Sequence, residues 1–364
     1  KGAKPSYIGK GGWVYVLSNE GNLKWSFKLK RNVGGIPAFV VSAGDLNGDL
    51  RGEVVAASYN LHIFDFKGSF LREYEIKAVV DDLVVSDLDG DGTSEIIFGL
   101  QKSGSLFCLR KEGRALSWKF ETGGPIKALY ASDLDRDGFK EVIFSLDRYI
   151  YVLDYEGDEL WYYFLREGID ALTVADYNND GEREILFAAQ SKIYSIDKDG
   201  KKQKLVLETK KRVLSLKVAD TNMDGANEII YLTRSFKDEK SREITTYAGN
   251  LLIVNLDGNI LFQSTNSDVT DFHLEDLNGD SMIDIVLSEG SVVYALINKQ
   301  VKEPSEKEKV EAEEEEEKGE EIVVESSEKE KVEAGEEEEK ESGIASFLIL
   351  LSLTVSYLIY KRRG

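Results

Sequence analysis

DLDGDGTSE at residues 87–95, DLDRDGFKE at 133–141, DYNNDGERE at 176–184 and DTNMDGANE at 220–228 are four copies of one nine-residue pattern. DLNGDLRGE at 45–53 and DLNGDSMID at 276–284 extend it to six. Successive copies start 42, 46, 43, 44 and 56 residues apart. Each sits between apolar-alternating stretches, such as LVVS before Asp87 and EIIFGL from Glu95 onward. Runs of Val, Ile, Leu and aromatics bounded by Asp, Asn and Gly read as strands. A second element fills the intervals: LFCLRKEGRALSWKF at 106–120 and YIYVLDYEGDELWYYF at 149–164 are each strand, turn, strand. Their Glu-Gly turns supply the positive φ that a hairpin requires. Each unit of about 44 residues therefore holds four short antiparallel strands, the period of a β-propeller blade. Helical repeats would need apolar spacings of three and four, which these segments lack.

The sequence thus predicts an all-β propeller of four-stranded antiparallel blades over residues 1–301. Six inner strands carry Asp loops, but seven segments match a third strand, from Trp13 through Val292. Seven blades are the expectation and six the alternative. The seventh would be closed by an N-terminal strand from residues preceding Lys1. The chain starts at Lys1 without an apolar signal segment, so a leader removed upstream is expected.

The loops D-x-[DN]-x-[DN]-G-x-x-[ED] resemble the FG-GAP/VCBS repeats of integrin-α-like propellers. The hairpins with Trp25, Trp118 and Trp161 after the Gly turn look like the strand pairs of quinoprotein-type propellers. The resemblance implies a propeller fold and leaves function open, because that fold carries many activities.

The loops also carry a chemistry of their own. Ca²⁺ takes six to eight oxygens, mostly carboxylate and carbonyl. Acids at positions 1, 3, 5 and 9, with a main-chain carbonyl from position 7, supply that set from one turn. Complete sets are Asp87, Asp89, Asp91, Thr93 and Glu95; Asp133, Asp135, Asp137, Phe139 and Glu141; Asp176, Asn178, Asp180, Glu182 and Glu184; and Asp220, Asn222, Asp224, Ala226 and Glu228. Asp45, Asn47, Asp49 and Glu53 form a fifth set with Leu50 where Gly is expected. Asp276, Asn278, Asp280 and Asp284 form a sixth with Ser281 there. The competing explanation is that these acids only accept turn N–H groups. Structural Ca²⁺ is the expected cofactor, since so many carboxylates in nine residues repel unless neutralised.

The chain has 364 residues, 46 Lys+Arg and 67 Asp+Glu, a net charge of −21. Residues 303–341 hold 20 Glu and 6 Lys, and Lys361, Arg362 and Arg363 follow an uncharged stretch. That leaves about −10 for residues 1–302, with no basic stripe for nucleic acid. One cysteine, Cys108, excludes an intrachain disulfide framework, and two histidines leave little for His-dependent catalysis. Residues 302–342 repeat SEKEKVEA and read as a disordered or partly helical acidic stalk. Residues 343–360, GIASFLILLSLTVSYLIY, are uncharged and long enough, at about 27 Å as a helix, to cross a membrane. The basic tail 361–364 then faces the cytoplasm and the propeller lies outside.

These features predict a non-enzymatic, membrane-anchored surface module that binds a partner protein or glycan. The alternatives are a quinone-dependent dehydrogenase or polysaccharide lyase on the same scaffold, or an envelope assembly scaffold. Trp25, Trp118 and Trp161 are expected to pack between blades. The longest spacing places extra residues at 234–249, a candidate contact loop.

Overall fold

The computed structural model describes residues 13–18, 22–28, 40–57, 59–110, 113–233, 249–264, 269–277, 280–289 and 292–298, and the backbone at 330–331 and 349–352. Every regular element among them is a strand. β1 (Trp13–Leu17) and β2 (Leu23–Lys28) come first. The first blade is β3 (Val40–Gly44), β4 (Glu53–Ala57), β5 (Leu61–Phe64) and β6 (Phe70–Tyr74). The second is β7 (Val80–Ser86), β8 (Glu95–Leu100), β9 (Ser105–Arg110) and β10 (Ala115–Glu121). The third is β11 (Ile126–Ser132), β12 (Glu141–Leu146), β13 (Tyr149–Leu153) and β14 (Glu159–Phe164).

The fourth blade is β15 (Ala171–Ala175), β16 (Glu184–Ala189), β17 (Lys192–Ile196) and β18 (Lys204–Glu208). The fifth is β19 (Val213–Ala219), β20 (Glu228–Thr233), β21 (Leu251–Val254) and β22 (Ile260–Gln263). The sixth is β23 (Val269–Glu275), β24 (Asp284–Glu289), β25 (Val292–Leu296) and β26 (Glu330–Lys331). All six sheets are antiparallel, and their strands follow one another in chain order. Inner strands β3, β7, β11, β15, β19 and β23 are successive neighbours, which stacks the blades face to face.

Burial explains the residue pattern of each strand position. The second strands β8, β12, β16 and β20 are buried at every residue. Both their faces are sandwiched by neighbouring blades, so EIIFGL, EVIFSL, EILFAA and EIIYLT are continuous apolar runs rather than alternating ones. Phe98, Phe144 and Phe187 occupy the same position in three of them, each at most 2% exposed. Outer strands alternate or lie open: β14 has four of its six residues exposed and β22 is exposed throughout.

The tryptophans tie one blade to the next. Trp118 on β10 donates from Nε1 to the carbonyl of Tyr155 at 3.0 Å, and Trp161 on β14 to that of Lys198 at 2.8 Å. Trp25 on β2 does the same to Phe66 at 3.3 Å. Each ring also lies against the hairpin glycine of the following blade. A Cβ on Gly157, whose φ is +90°, would meet the Trp118 ring at 2.6 Å. That glycine is thus required twice, for its left-handed backbone and for the close approach of the indole.

The seventh sheet departs from the expected blade. It has three strands, β2, β1 and β27 (Ile349–Ser352), with Val14 opposite Ser352 and Leu17 opposite Ile349. A seventh four-stranded blade is not formed among the described residues. The membrane helix expected at 343–360 is not seen where that stretch is described, because Ile349–Ser352 is a strand on β1. A short apolar run suits either state, and the unpaired N–H and C=O groups along β1 select the strand. Likewise Glu330–Lys331, inside the expected stalk, pairs with Tyr294 and Ala295 on β25. The remainder of 302–342 and 343–364 lies outside the described residues, as does 234–248 within the candidate contact loop. No helix among the described residues is long and apolar enough to cross a membrane.

Candidate metal centres

Each Asp loop joins an inner strand to the second strand of its blade, so all six open on one face of the molecule. The first Asp folds the loop around itself. Its Oδ2 accepts the N–H of position 6 in every copy: Leu50 at 2.6 Å, Gly92 at 3.0, Gly138 at 3.2, Gly181 at 2.9, Gly225 at 3.0 and Ser281 at 2.8. Position 3 accepts from position 5, as Asp135 Oδ1 does from Asp137 N at 3.1 Å. Position 5 accepts from position 7, as Asp137 Oδ1 does from Phe139 N at 2.8 Å. The ninth residue reaches back to position 2. Glu53, Glu95, Glu141 and Glu228 accept from Leu46, Leu88, Leu134 and Thr221, and Asp284 from Leu277, all at 2.8–2.9 Å.

Position 6 is left-handed in all six loops, including Leu50 at +64° and Ser281 at +69°. Position 4 is left-handed as well, at Gly48, Gly90, Arg136, Asn179 and Met223. The sequence signalled the first requirement through its glycines and hid the second behind non-glycine residues. A left-handed non-glycine residue costs about 1–2 kcal/mol, and Leu50 is 92% exposed, so it recovers nothing by packing. Leu50→Gly should stabilise the protein by about 1 kcal/mol in a denaturant titration; an unchanged midpoint would contradict this account of the bend.

The loops are not equivalent as cation sites. Carboxylate oxygens of Asp87, Asp89 and Glu95 lie within 4.8 Å of one another, and so do those of Asp133, Asp135 and Glu141. In the first cluster the cation is built in. Arg110, at the end of β9, places NH2 3.3 Å from Asp89 Oδ2 and Nε 3.6 Å from Glu95 Oε1. Where position 3 is Asn, its amide takes that place. Nδ2 of Asn47 donates to Glu53 Oε1 at 3.0 Å, and Nδ2 of Asn178 to Asp180 Oδ2 at 3.0 Å and Glu184 Oε1 at 3.4 Å. Asn222 donates to Asp224 at 3.0 Å and to Glu228 at 3.5 Å. Asn278 lies outside the described residues.

The Asp133 loop has neither device. No ion pair to Asp133, Asp135, Asp137 or Glu141 occurs among the described residues. Burial, then the charges of Asp135 and Asp137 working against the Leu134 N–H, pushes Glu141 up to about 7. Burial first, with Asp180 and Asp176 adding, does the same to Glu184, and burial raises Glu95 to about 7 against the pull of Arg110. Glu184 Oε2 and Asp220 Oδ1 are buried with no hydrogen-bond donor. Hard oxygen donors, an excess of negative charge and two buried acceptors without donors fit a divalent cation such as Ca²⁺. Thr93, Phe139, Glu182 and Ala226 would contribute only their main chain. Their side chains do other things: Thr93 Oγ1 donates to Asp91 at 2.6 Å, Phe139 stacks on Tyr155 at 4.6 Å, and Glu182 pairs with Lys198 at 3.6 Å.

Adjacent loops are stitched together. Ser94 N donates to Asp45 O at 2.6 Å and Lys140 N to Leu88 O at 2.8 Å. Side chains at the same position reach back one blade: Lys140 to Ser86 at 2.9 Å and Arg183 to Ser132 at 2.8 Å. Asn227 binds Asp176 O at 2.6 Å. Anything that stiffens one loop therefore stiffens the joint between two blades.

No family model matches the chain, and no curated protein matches it. Solved structures do. One described as BBS1N in complex with ARL6DN, soaked with lead, is similar with a TM-score of 0.56 and 12% identity. The alignment covers 79% of this chain and 83% of that one. A second, soaked with mercury, gives 0.55 at the same identity and coverage. At that identity the likeness speaks to architecture alone. This chain shares the β-propeller fold.

Proposed function

We propose that this chain is a calcium-stabilised propeller that acts as a binding module at the cell surface, tethered by residues 343–360. The observation that carries the reading is the stitched ring of acidic loops, which makes the scaffold's rigidity depend on a cation plentiful outside cells. The similar BBS1N propeller is described in complex with a second protein, ARL6DN, and that supports an interaction role.

Tethering requires Ile349–Ser352 to leave β1. The exchange favours the bilayer, since a spanning helix buries eighteen uncharged residues of the stretch whereas β27 uses four. Val14 and Val16 remain packed on Val54, Ala56 and Phe64 of the first blade either way. In the tethered form β1 and β2 remain as a two-stranded ribbon on the first blade.

Cells displaying the full chain should adhere to a partner surface in millimolar Ca²⁺. External protease should cut at the acidic stalk and release both the propeller and the adhesion, and chelator should weaken adhesion reversibly. A propeller that stays protected on intact cells, or adhesion indifferent to both treatments, would refute the reading.

A further inference from the structure

On the face opposite the Asp loops, the starts of β11, β15, β19 and β23 surround a cavity of about 510 Å³. Its size is that of a small-ligand site. Lys127, Asp170, Arg212, Ser215, Thr270 and Asp271 line it, and Leu214 adds an aliphatic wall. None of these residues belongs to the calcium loops.

The charged groups are held in place by partners. Arg212 Nε donates to Asp170 Oδ2 at 2.8 Å and its NH2 binds Asp170 Oδ1. Asp170 also accepts from Gln190 N at 2.9 Å. Lys127 Nζ donates to Ile169 O at 3.1 Å and lies 3.6 Å from Asp147. Thr270 Oγ1 is 2.8 Å from Ser288 Oγ, and Asp271 Oδ1 accepts from Phe272 N at 2.8 Å. Donors and acceptors thus alternate around the opening while most of the charge is already paired.

A sugar hydroxyl is donor and acceptor at once. Interleaved ammonium, guanidinium, carboxylate and hydroxyl groups match a row of such hydroxyls, and Leu214 offers contact to a C–H face. A charged ligand would find its counter-charges already engaged. We propose that this cavity binds a neutral polyhydroxylated ligand, the end of a glycan chain, through Lys127, Arg212, Ser215, Thr270 and Asp271. The inference rests on the surface-binding reading and names the chemistry of its partner.

The test uses the full chain in a detergent without a sugar headgroup, with cellobiose, maltose, lactose, mannobiose and chitobiose as probes. Saturation-transfer NMR should show transfer to at least one of them at millimolar concentration. Asp271→Asn, which keeps the acceptor for Phe272 N, and Lys127→Met should each weaken that binding about tenfold, the worth of one hydrogen bond to a charged group. Both variants should melt at the wild-type temperature. Raising NaCl across the physiological range should leave the affinity within about twofold, since no net charge is neutralised. No transfer to any probe would overturn the inference. So would equal binding by the variants at unchanged melting temperature, or binding abolished by salt. Adhesion that persists without sugar transfer overturns this inference alone, whereas sugar transfer without surface adhesion overturns the module reading.

Discussion

Trp118→Ala should destabilise the protein by about 2–3 kcal/mol, below the range for an aromatic in a core because the ring is only partly buried. The indole fills the space against Gly157 and ties β10 to the Tyr155 carbonyl. Its loss opens the joint between the second and third blades and leaves that carbonyl without its donor. Trp118→Phe keeps most of the ring volume and removes Nε1–H, so it should cost about 1 kcal/mol. Equilibrium denaturation of the two variants separates packing from hydrogen bonding. Equal and small losses would mean that the joint does not depend on the indole.

Asp135→Asn should have opposite effects with and without calcium. With chelator, the new amide can donate to Glu141 as Asn178 does to Glu184, removing the charge of Asp135 that adds to burial in raising Glu141. The variant should then be as stable as the wild type or more so. In calcium the amide oxygen replaces a carboxylate, so binding weakens and the variant should lose part of the stabilisation that the Asp133 loop provides, which is about 1.4 kcal/mol at tenfold excess over Kd. The pH dependence has a defined sign. Glu95, Glu141 and Glu184 are raised from 4.5 to about 7 in the folded chain, so between those values the folded state holds more protons than the unfolded one. Chelated protein should therefore lose stability as pH rises from about 4.5 to 7 and level off above it. Bound calcium would hold these carboxyls ionised and remove that slope. A chelated protein that gains stability over the same window would contradict the assignment.

Much of this was legible in the residues. The Asp loops and Gly hairpins located the strands of five blades and three strands of the sixth, because Asp at position 1 and Gly at position 6 are dictated by the turn itself. Glu330–Lys331, the last strand of the sixth, was hidden in the acidic stretch. The second strands were expected to alternate like the first, whereas burial on both faces makes the residues after their leading Glu nearly all apolar, as in EVIFSL. Arg110 was missed. It lies fifteen residues beyond the loop it neutralises, and only a comparison of hairpins shows it, since Asp154 and Asp197 stand at the matching positions. Arg136 and Met223 gave no sign of their left-handed backbone, which tertiary closure of the loop imposes on residues without that preference. The cavity was invisible too, because Lys127, Asp170, Arg212 and Asp271 come from four blades that only the ring brings together. The fate of Ile349–Ser352 turns on whether a sheet edge or a bilayer is offered, which local composition does not encode.

Calcium dependence of stability is the most direct test of the account. Thermal unfolding of the full chain should be followed in millimolar Ca²⁺ and in chelator, with Asp135→Asn as control. The wild type should melt higher in calcium by roughly 2–4 °C for each site filled, with the Asp133 loop's share reduced in the variant. Superimposable curves for the wild type would contradict the metal assignment and leave the acids as acceptors for their own turns.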